Sequence, residues 1–173
     1  WGGNEQEDIR YGILKMLEDG HVQPNKVGIT GTSYGGYSSW FAITKFQPSE
    51  VMAAVPISGM TDLVVDYQTT RPDLRPYSEE MMGGSPDEVP QKYKARSPIN
   101  FVKDIKGRVL IVQGAKDPNV TLENVTQVER KLAESNIPFE TLVFPDEGHG
   151  VIKTENQKFL LKRMGQFFEE ALQ

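Results

Sequence analysis

Two apolar runs constrain this chain more than anything else in it. "VMAAVPIS" (51–58) is almost wholly apolar, and "RVLIVQG" (108–114) sets a β-branched run between a charge and a glycine. Both have strand length, and a strand apolar on both faces must be covered on both faces. "KVGIT" (26–30) and "FETLVFP" (139–145) read as two further strands. Helical periodicity falls between and around them. Residues 4–19 carry Ile9, Ile13, Met16 and Leu17 on one face, with Asn4 as cap, Glu7 three residues on and Gly20 as the stop. Residues 34–46 offer Trp40, Phe41 and Phe46 for packing. Val125, Val128 and Leu132 mark a helix over 122–135. Leu160, Met164, Phe167, Phe168 and Ala171 mark another over 155–172. Strands alternating with helical or mixed segments predict an α/β protein with about four parallel strands.

Residues 60–100 break the alternation. They are rich in Pro, Tyr, Met and charge, with "GGSPDEVP" in the middle. Short helices and loops lying over one end of the sheet are expected, and a connection this long usually covers a site.

The residues that stand just after each strand matter, because ligands of open α/β sheets bind at the carboxyl ends of the strands. After the first strand comes Ser33, in "GTSYGG". After the third, "GAKDPNV" brings Asp117, and after the fourth, "PDEGHG" brings His149. A nucleophile, an acid and a base therefore fall at one end of one sheet, in the order Ser, Asp, His. A tight strand-to-helix turn suits the serine: Gly31 and Gly35 carry no side chain to collide in it, and Gly36 allows close helix packing. The helix opening at Tyr34 aims its first amides at the site, so Tyr34 N–H is the expected oxyanion-hole donor. His21 sits in a loop at the opposite end of the sheet. Asp146 and Glu147 are rival acids, ranked lower because sequence neighbours rarely reach back to orient the ring.

Composition closes off other chemistries. The chain of 173 residues has no cysteine, which excludes disulfides and thiol catalysis. Its net charge of −5 is spread without a basic stripe, so nucleic acid is not an expected partner. No apolar stretch approaches the ~20 residues that a bilayer crossing needs. "GTSYGG" lacks the Lys of a phosphate loop, and two distant histidines with no carboxylate cluster predict no metal and no cofactor. One domain over residues 1–173 fits the length.

The motifs together resemble the catalytic domain of the prolyl oligopeptidase family of serine peptidases. "WGGNEQEDI" resembles the segment entering the helix before the nucleophile strand, and "GHVQPNKVGITGTSYGGY" the nucleophile block. "KARSPINFVKDIKGRVLIVQGAKDPNV" resembles the block carrying the acid, and "FPDEGHGVIKTENQ" the block carrying the base. The resemblance implies an α/β-hydrolase fold, Ser33, Asp117 and His149 as its triad, and short peptides as substrates. Gln113 stands where many members have His, Asn119 where Arg is frequent and Thr121 where Pro is frequent. Neither Asn119 nor Thr121 is expected to touch the triad.

The family fold has about eight strands, of which this chain supplies the last four. The resemblance therefore implies that further strands, a second oxyanion donor and any β-propeller or targeting signal lie upstream of Trp1. On that reading the first strand presents a bare edge beside Ser33, completed by another chain portion or by self-association. The leading reading is a serine peptidase acting through an acyl-enzyme. A carboxylesterase on the same scaffold and a weakly active or inactive domain kept for binding or assembly are the alternatives. The expected substrate pocket draws on Tyr67, Tyr77, Met81 and Met82 from the covering segment. Arg71, Arg75 and Arg96 read as solvated charges rather than carboxylate binders.

Overall fold

A computed structural model describes all of residues 1–173. Four strands form one parallel sheet in the order β1-β2-β3-β4: Gly28–Thr32, Ala53–Ile57, Arg108–Gly114 and Phe139–Phe144. Because the strands run parallel and in chain order, all four carboxyl ends lie along one rim.

Burial alternates along the central strands as the apolar runs demand. On β2 and β3, Ala54, Val109 and Ile111 enter a cluster with Trp40, Ile43, Val125, Val128 and Leu132. Those partners come from helices α2 (Tyr34–Lys45) and α6 (Leu122–Glu134). Their neighbours Ala53, Val55, Leu110 and Val112 face the other way, onto Leu160 and Phe167 of α7 (Thr154–Ala171). Helices thus cover both faces of the sheet, the α/β arrangement read from the strand pattern. No helix is long and apolar enough to cross a membrane.

The amino-terminal helix α1 (Asn4–Glu18) departs from expectation in two places. Gly3 occupies the cap position and Asn4 is the first helical residue. The Gly3 amide is satisfied by the Glu5 carboxylate at 3.0 Å, so no Asn cap is needed. Met16 is 46% exposed: Ile9 and Ile13 pack against the core, but Met16 does not.

The long connection from β2 to β3 folds into short helices α3 (Leu63–Thr69), α4 (Arg75–Met82) and α5 (Pro90–Arg96), with 3-10 turns at Pro72–Leu74 and Pro98–Asp104. Its Met60, Leu63, Met82 and Tyr93 form an apolar cluster with Tyr37 of α2 and Val120 of the loop after β3. Asp62 caps α3, its carboxylate accepting from the amides of Val64 and Val65.

Candidate active site

β1 runs two residues further than its apolar pattern. Gly31 pairs with Pro56 and Thr32 with Ile57, so the whole strand-to-helix reversal falls on Ser33. Ser33 adopts φ 60°, ψ −117°, a left-handed conformation that costs a non-glycine residue on the order of 1–3 kcal/mol. Its amide donates to Ile57 O at 2.9 Å and its carbonyl accepts from Tyr37 N at 2.9 Å, which hold the turn from both sides. A Cβ on Gly31 would lie 2.7 Å from the Gly35 carbonyl carbon, and one on Gly36 would lie 2.5 Å from Ile57 O. Those two glycines are required sterically. Gly35 is not: a Cβ there meets open space, because in this turn it is the Gly35 backbone that crowds Gly31.

The acid and base loops are joined to each other. Ala115 N donates to Phe144 O and Lys116 N to Glu147 O, each at 2.9 Å. Gly114 makes this approach possible, since a Cβ there would stand 2.0 Å from Gly148 O. The result brings the three expected side chains together. His149 Nε2 lies 2.8 Å from Ser33 Oγ, and His149 Nδ1 lies 2.9 and 3.1 Å from the two Asp117 oxygens. The Asp117 side chain is inaccessible and that of His149 is 29% exposed.

Asp117 is held on every side. Oδ1 accepts from the amides of Asn119 at 2.8 Å and Val120 at 3.1 Å, and Oδ2 accepts from Gln113 Nε2 at 3.1 Å. Asn119 therefore does touch the triad, through its backbone rather than its side chain. Burial opposes the Asp117 charge, but the His149 and backbone hydrogen bonds outweigh it and keep the carboxyl below its ordinary range. An ionised carboxylate only accepts, so Nδ1 carries the imidazole proton and Nε2 of the neutral ring is free to accept from Ser33. The Asp117 hydrogen bond raises the His149 pKa above its usual 6.5, against the opposing effect of burial.

The rival acids are engaged elsewhere. Asp146 pairs with Lys153 and Asn156, while buried Glu147 accepts from Lys153 N and Asn156 Nδ2 and so braces the start of α7. His21 is exposed in the turn after α1. No group of three or more His, Cys, Asp and Glu side chains comes together to hold a metal ion.

The prolyl oligopeptidase family profile matches residues 1–173, the whole of this sequence. The chain belongs to the prolyl oligopeptidase family. Within that family it is 32% identical over 162 residues to dipeptidyl aminopeptidase BIII of Pseudoxanthomonas mexicana, covering 91% of the chain and 23% of the relative. It is 30% identical over 177 residues to dipeptidyl peptidase family member 6 of Caenorhabditis elegans, covering 99% and 24%. Its fold matches that of a Mycobacterium tuberculosis puromycin-hydrolyzing peptidase with a TM-score of 0.93 at 27% identity, over 99% of the chain and 26% of that protein. The chain thus spans about a quarter of the length of these family members.

A cavity of about 260 Å³ opens beside Ser33 and His149. Of the four residues expected to wall it, only Tyr77 does. Tyr67 turns to the covering segment, its hydroxyl donating to Glu79 and its ring edge-on to Tyr93. Met82 is fully buried among Tyr37, Leu63 and Tyr93, and Met81 offers its carbonyl to the Trp1 amine. The walls come instead from Met60, Asp66, Thr70, Leu74, Ser78 and Val120, together with Asn119. None of Arg71, Arg75 and Arg96 lines it. The faces are set by helical spacing: Asp66 and Thr70 are one turn apart, as are Leu74 and Ser78. Tyr34 also lines the cavity; its hydroxyl donates to Glu5 at 2.6 Å and accepts from Gln6 Nε2 at 3.2 Å. Glu5 and Gln6 of α1 carry no motif of their own, and their only signal in the sequence is their place in the "WGGNEQED" segment.

Proposed function

We propose that this chain is the catalytic domain of a serine peptidase that hydrolyses short peptides through an acyl-enzyme. The observation that carries the reading is the continuous hydrogen-bonded line from Ser33 Oγ through His149 to Asp117. As Ser33 Oγ attacks the scissile carbonyl carbon, His149 Nε2 takes its proton. The imidazolium is stabilised by Asp117, and the carbonyl oxygen becomes an oxyanion facing the amino end of α2. Tyr34 N–H, the first amide of that helix, is the proposed donor there, worth on the order of 3 kcal/mol. The His149 proton then passes to the leaving nitrogen as the C–N bond breaks. Water repeats the sequence on the ester and releases the acid and Ser33.

Family membership and the names of the relatives favour peptides. A dipeptidyl aminopeptidase and a puromycin-hydrolyzing peptidase are among the relatives. The deciding experiment is covalent labelling with a fluorophosphonate, followed by a panel of aminoacyl and prolyl anilides against aryl esters. Labelling at Ser33 with anilide turnover supports the peptidase. Ester turnover alone points to a carboxylesterase, and the absence of any label on Ser33 refutes the hydrolase reading. The outer edge of β1 pairs with no other strand. It is the proposed site for an added strand. Sedimentation velocity with no concentration dependence rules out a second copy there.

A further inference from the structure

Asp66 is a group that the proposed hydrolysis does not use. It sits on α3, is 4% exposed, and lines the cavity that holds Ser33 and His149. It is the only carboxylate among the lining residues, and no Lys or Arg lines the cavity with it. Its Oδ1 has no hydrogen-bond partner. The neighbouring buried amide Asn124 Nδ2 is likewise unpartnered, so that pair does not close into a hydrogen bond of normal geometry. Buried carboxylates are ordinarily paired, because removing an isolated charge from water is expensive. Without such a partner the carboxyl holds a proton more readily, and a bound cation would favour its ionised form. Burial and the nearby negative charge of Asp117 push the Asp66 carboxyl up to about 7. Among the side chains that line the cavity, the only one able to carry a compensating positive charge is the imidazole of His149, which Asp117 already engages.

The rest of the cavity has the character of a channel for a chain that is apolar along its length and positive at its end. Met60, Leu74 and Val120 offer apolar wall. The buried hydroxyls of Thr70 and Ser78 line the same space as Asp66. An alkylammonium has three N–H donors, and a carboxylate with two hydroxyls can take all three. Its methylenes pack where an apolar stem is wanted.

We infer that Asp66 is a specificity determinant that receives a positive charge on the acyl-side residue of the substrate, the residue whose carbonyl Ser33 attacks. The inference rests on the proposed hydrolase reading for the identity of that residue. An ammonium group there has two sources: a lysine-like side chain, or the free α-amino group of a substrate cut after its first residue. Both would engage the same carboxylate through a charge-assisted hydrogen bond.

The test compares kcat/KM for three 4-nitrophenyl esters: N-acetyl-lysine, N-acetyl-norleucine and norleucine with a free amine. Norleucine matches the lysine stem without its charge. Whichever cation is the source, its ester should be preferred over N-acetyl-norleucine on the order of 30-fold, and Asp66→Asn should bring that ratio close to one. A raised lysine ratio assigns the side chain, and a raised free-amine ratio assigns the α-amino group. The ratio in the unsubstituted protein needs no variant, so a poorly folding Asp66→Asn leaves the question answerable. A parallel titration of Ser33→Ala with Ac-Ala-Lys, Ac-Ala-norleucine and norleucine separates recognition from chemistry. Turnover without charge preference in either pair overturns the role of Asp66 and leaves the hydrolase standing. Charge-dependent binding to Ser33→Ala, with no turnover of any ester by the parent, upholds Asp66 and overturns the hydrolase.

Discussion

Substituting Gly114→Ala should disable the site without touching any of its three reactive side chains. The added Cβ would stand 2.0 Å from Gly148 O, 2.8 Å from Glu147 O and 2.9 Å from Glu147 C. All three contacts are backbone, so no side chain can swing aside. Moving Gly148 O from 2.0 Å to an ordinary 3.4 Å contact requires the base loop to retreat by about 1.4 Å. His149 is the next residue, and its Nε2 begins 2.8 Å from Ser33 Oγ. A retreat of that size carries the pair beyond hydrogen-bond reach. Misplacing a reacting group by ~1 Å costs about 100-fold, or about 2.7 kcal/mol of barrier. The expected result is a fall in kcat/KM for an aryl ester of at least 100-fold, with the labelling rate of Ser33 falling in step. Circular dichroism and a thermal melt of the same samples report whether the sheet is intact. A folded Gly114→Ala protein with kcat/KM within twofold of the parent would refute the claim that this contact sets the position of His149.

Other substitutions test the neighbouring links. Ser33→Ala should abolish fluorophosphonate labelling while leaving the melt unchanged or raised, since alanine removes the nucleophile; residual label on another serine would move the assignment. Asp117→Asn should lower kcat on the order of 10⁴-fold by favouring the wrong imidazole tautomer, read from single-turnover kinetics. Protonated His149 cannot accept from Ser33, and its pKa is raised by Asp117, so activity should be present at high pH and fall as pH drops through a midpoint above 6.5. Asp117→Asn should move that midpoint down, and a limb that stays in place would disconnect the two residues. Gly36→Ala drives a Cβ to 2.5 Å from Ile57 O and 2.8 Å from the Gly59 Cα, so it should destabilise by about 1–3 kcal/mol in denaturant unfolding.

The strands and the three converging loops were legible because their signals are local. Ala53, Val55, Val109 and Ile111 are apolar in succession since helices cover both faces, and Ser33, Asp117 and His149 each follow a strand directly. The end of β1 was less so: Gly31 is a poor strand former that interrupts the apolar run before Thr32, and pairing with Pro56 and Ile57 extends the strand through both. The pocket was largely illegible. Tyr67 and Met82 look like walls by composition, but the faces of α3 and α4 are chosen by what packs beneath them, Tyr93 and Tyr37 above all. Asp66 lies one residue before Tyr67 on a seven-residue helix, too short for a periodicity to say which of the two turns inward. The contact of Asn119 is hidden from the sequence for a related reason: its contribution to Asp117 is a main-chain amide that any residue but proline supplies.

The excursion between β2 and β3 donates no atom to the line from Ser33 to Asp117, yet it supplies Met60, Asp66, Thr70, Leu74, Tyr77 and Ser78 to the cavity. Most of the cavity wall therefore comes from a stretch of polypeptide apart from the loops of Ser33, Asp117 and His149, with Tyr34, Asn119 and Val120 adding to it from beside those loops. Such a division makes the excursion an exchangeable cassette: transplanting residues 60–105 between relatives should carry preference along with it and leave the cutting apparatus of the recipient in working order.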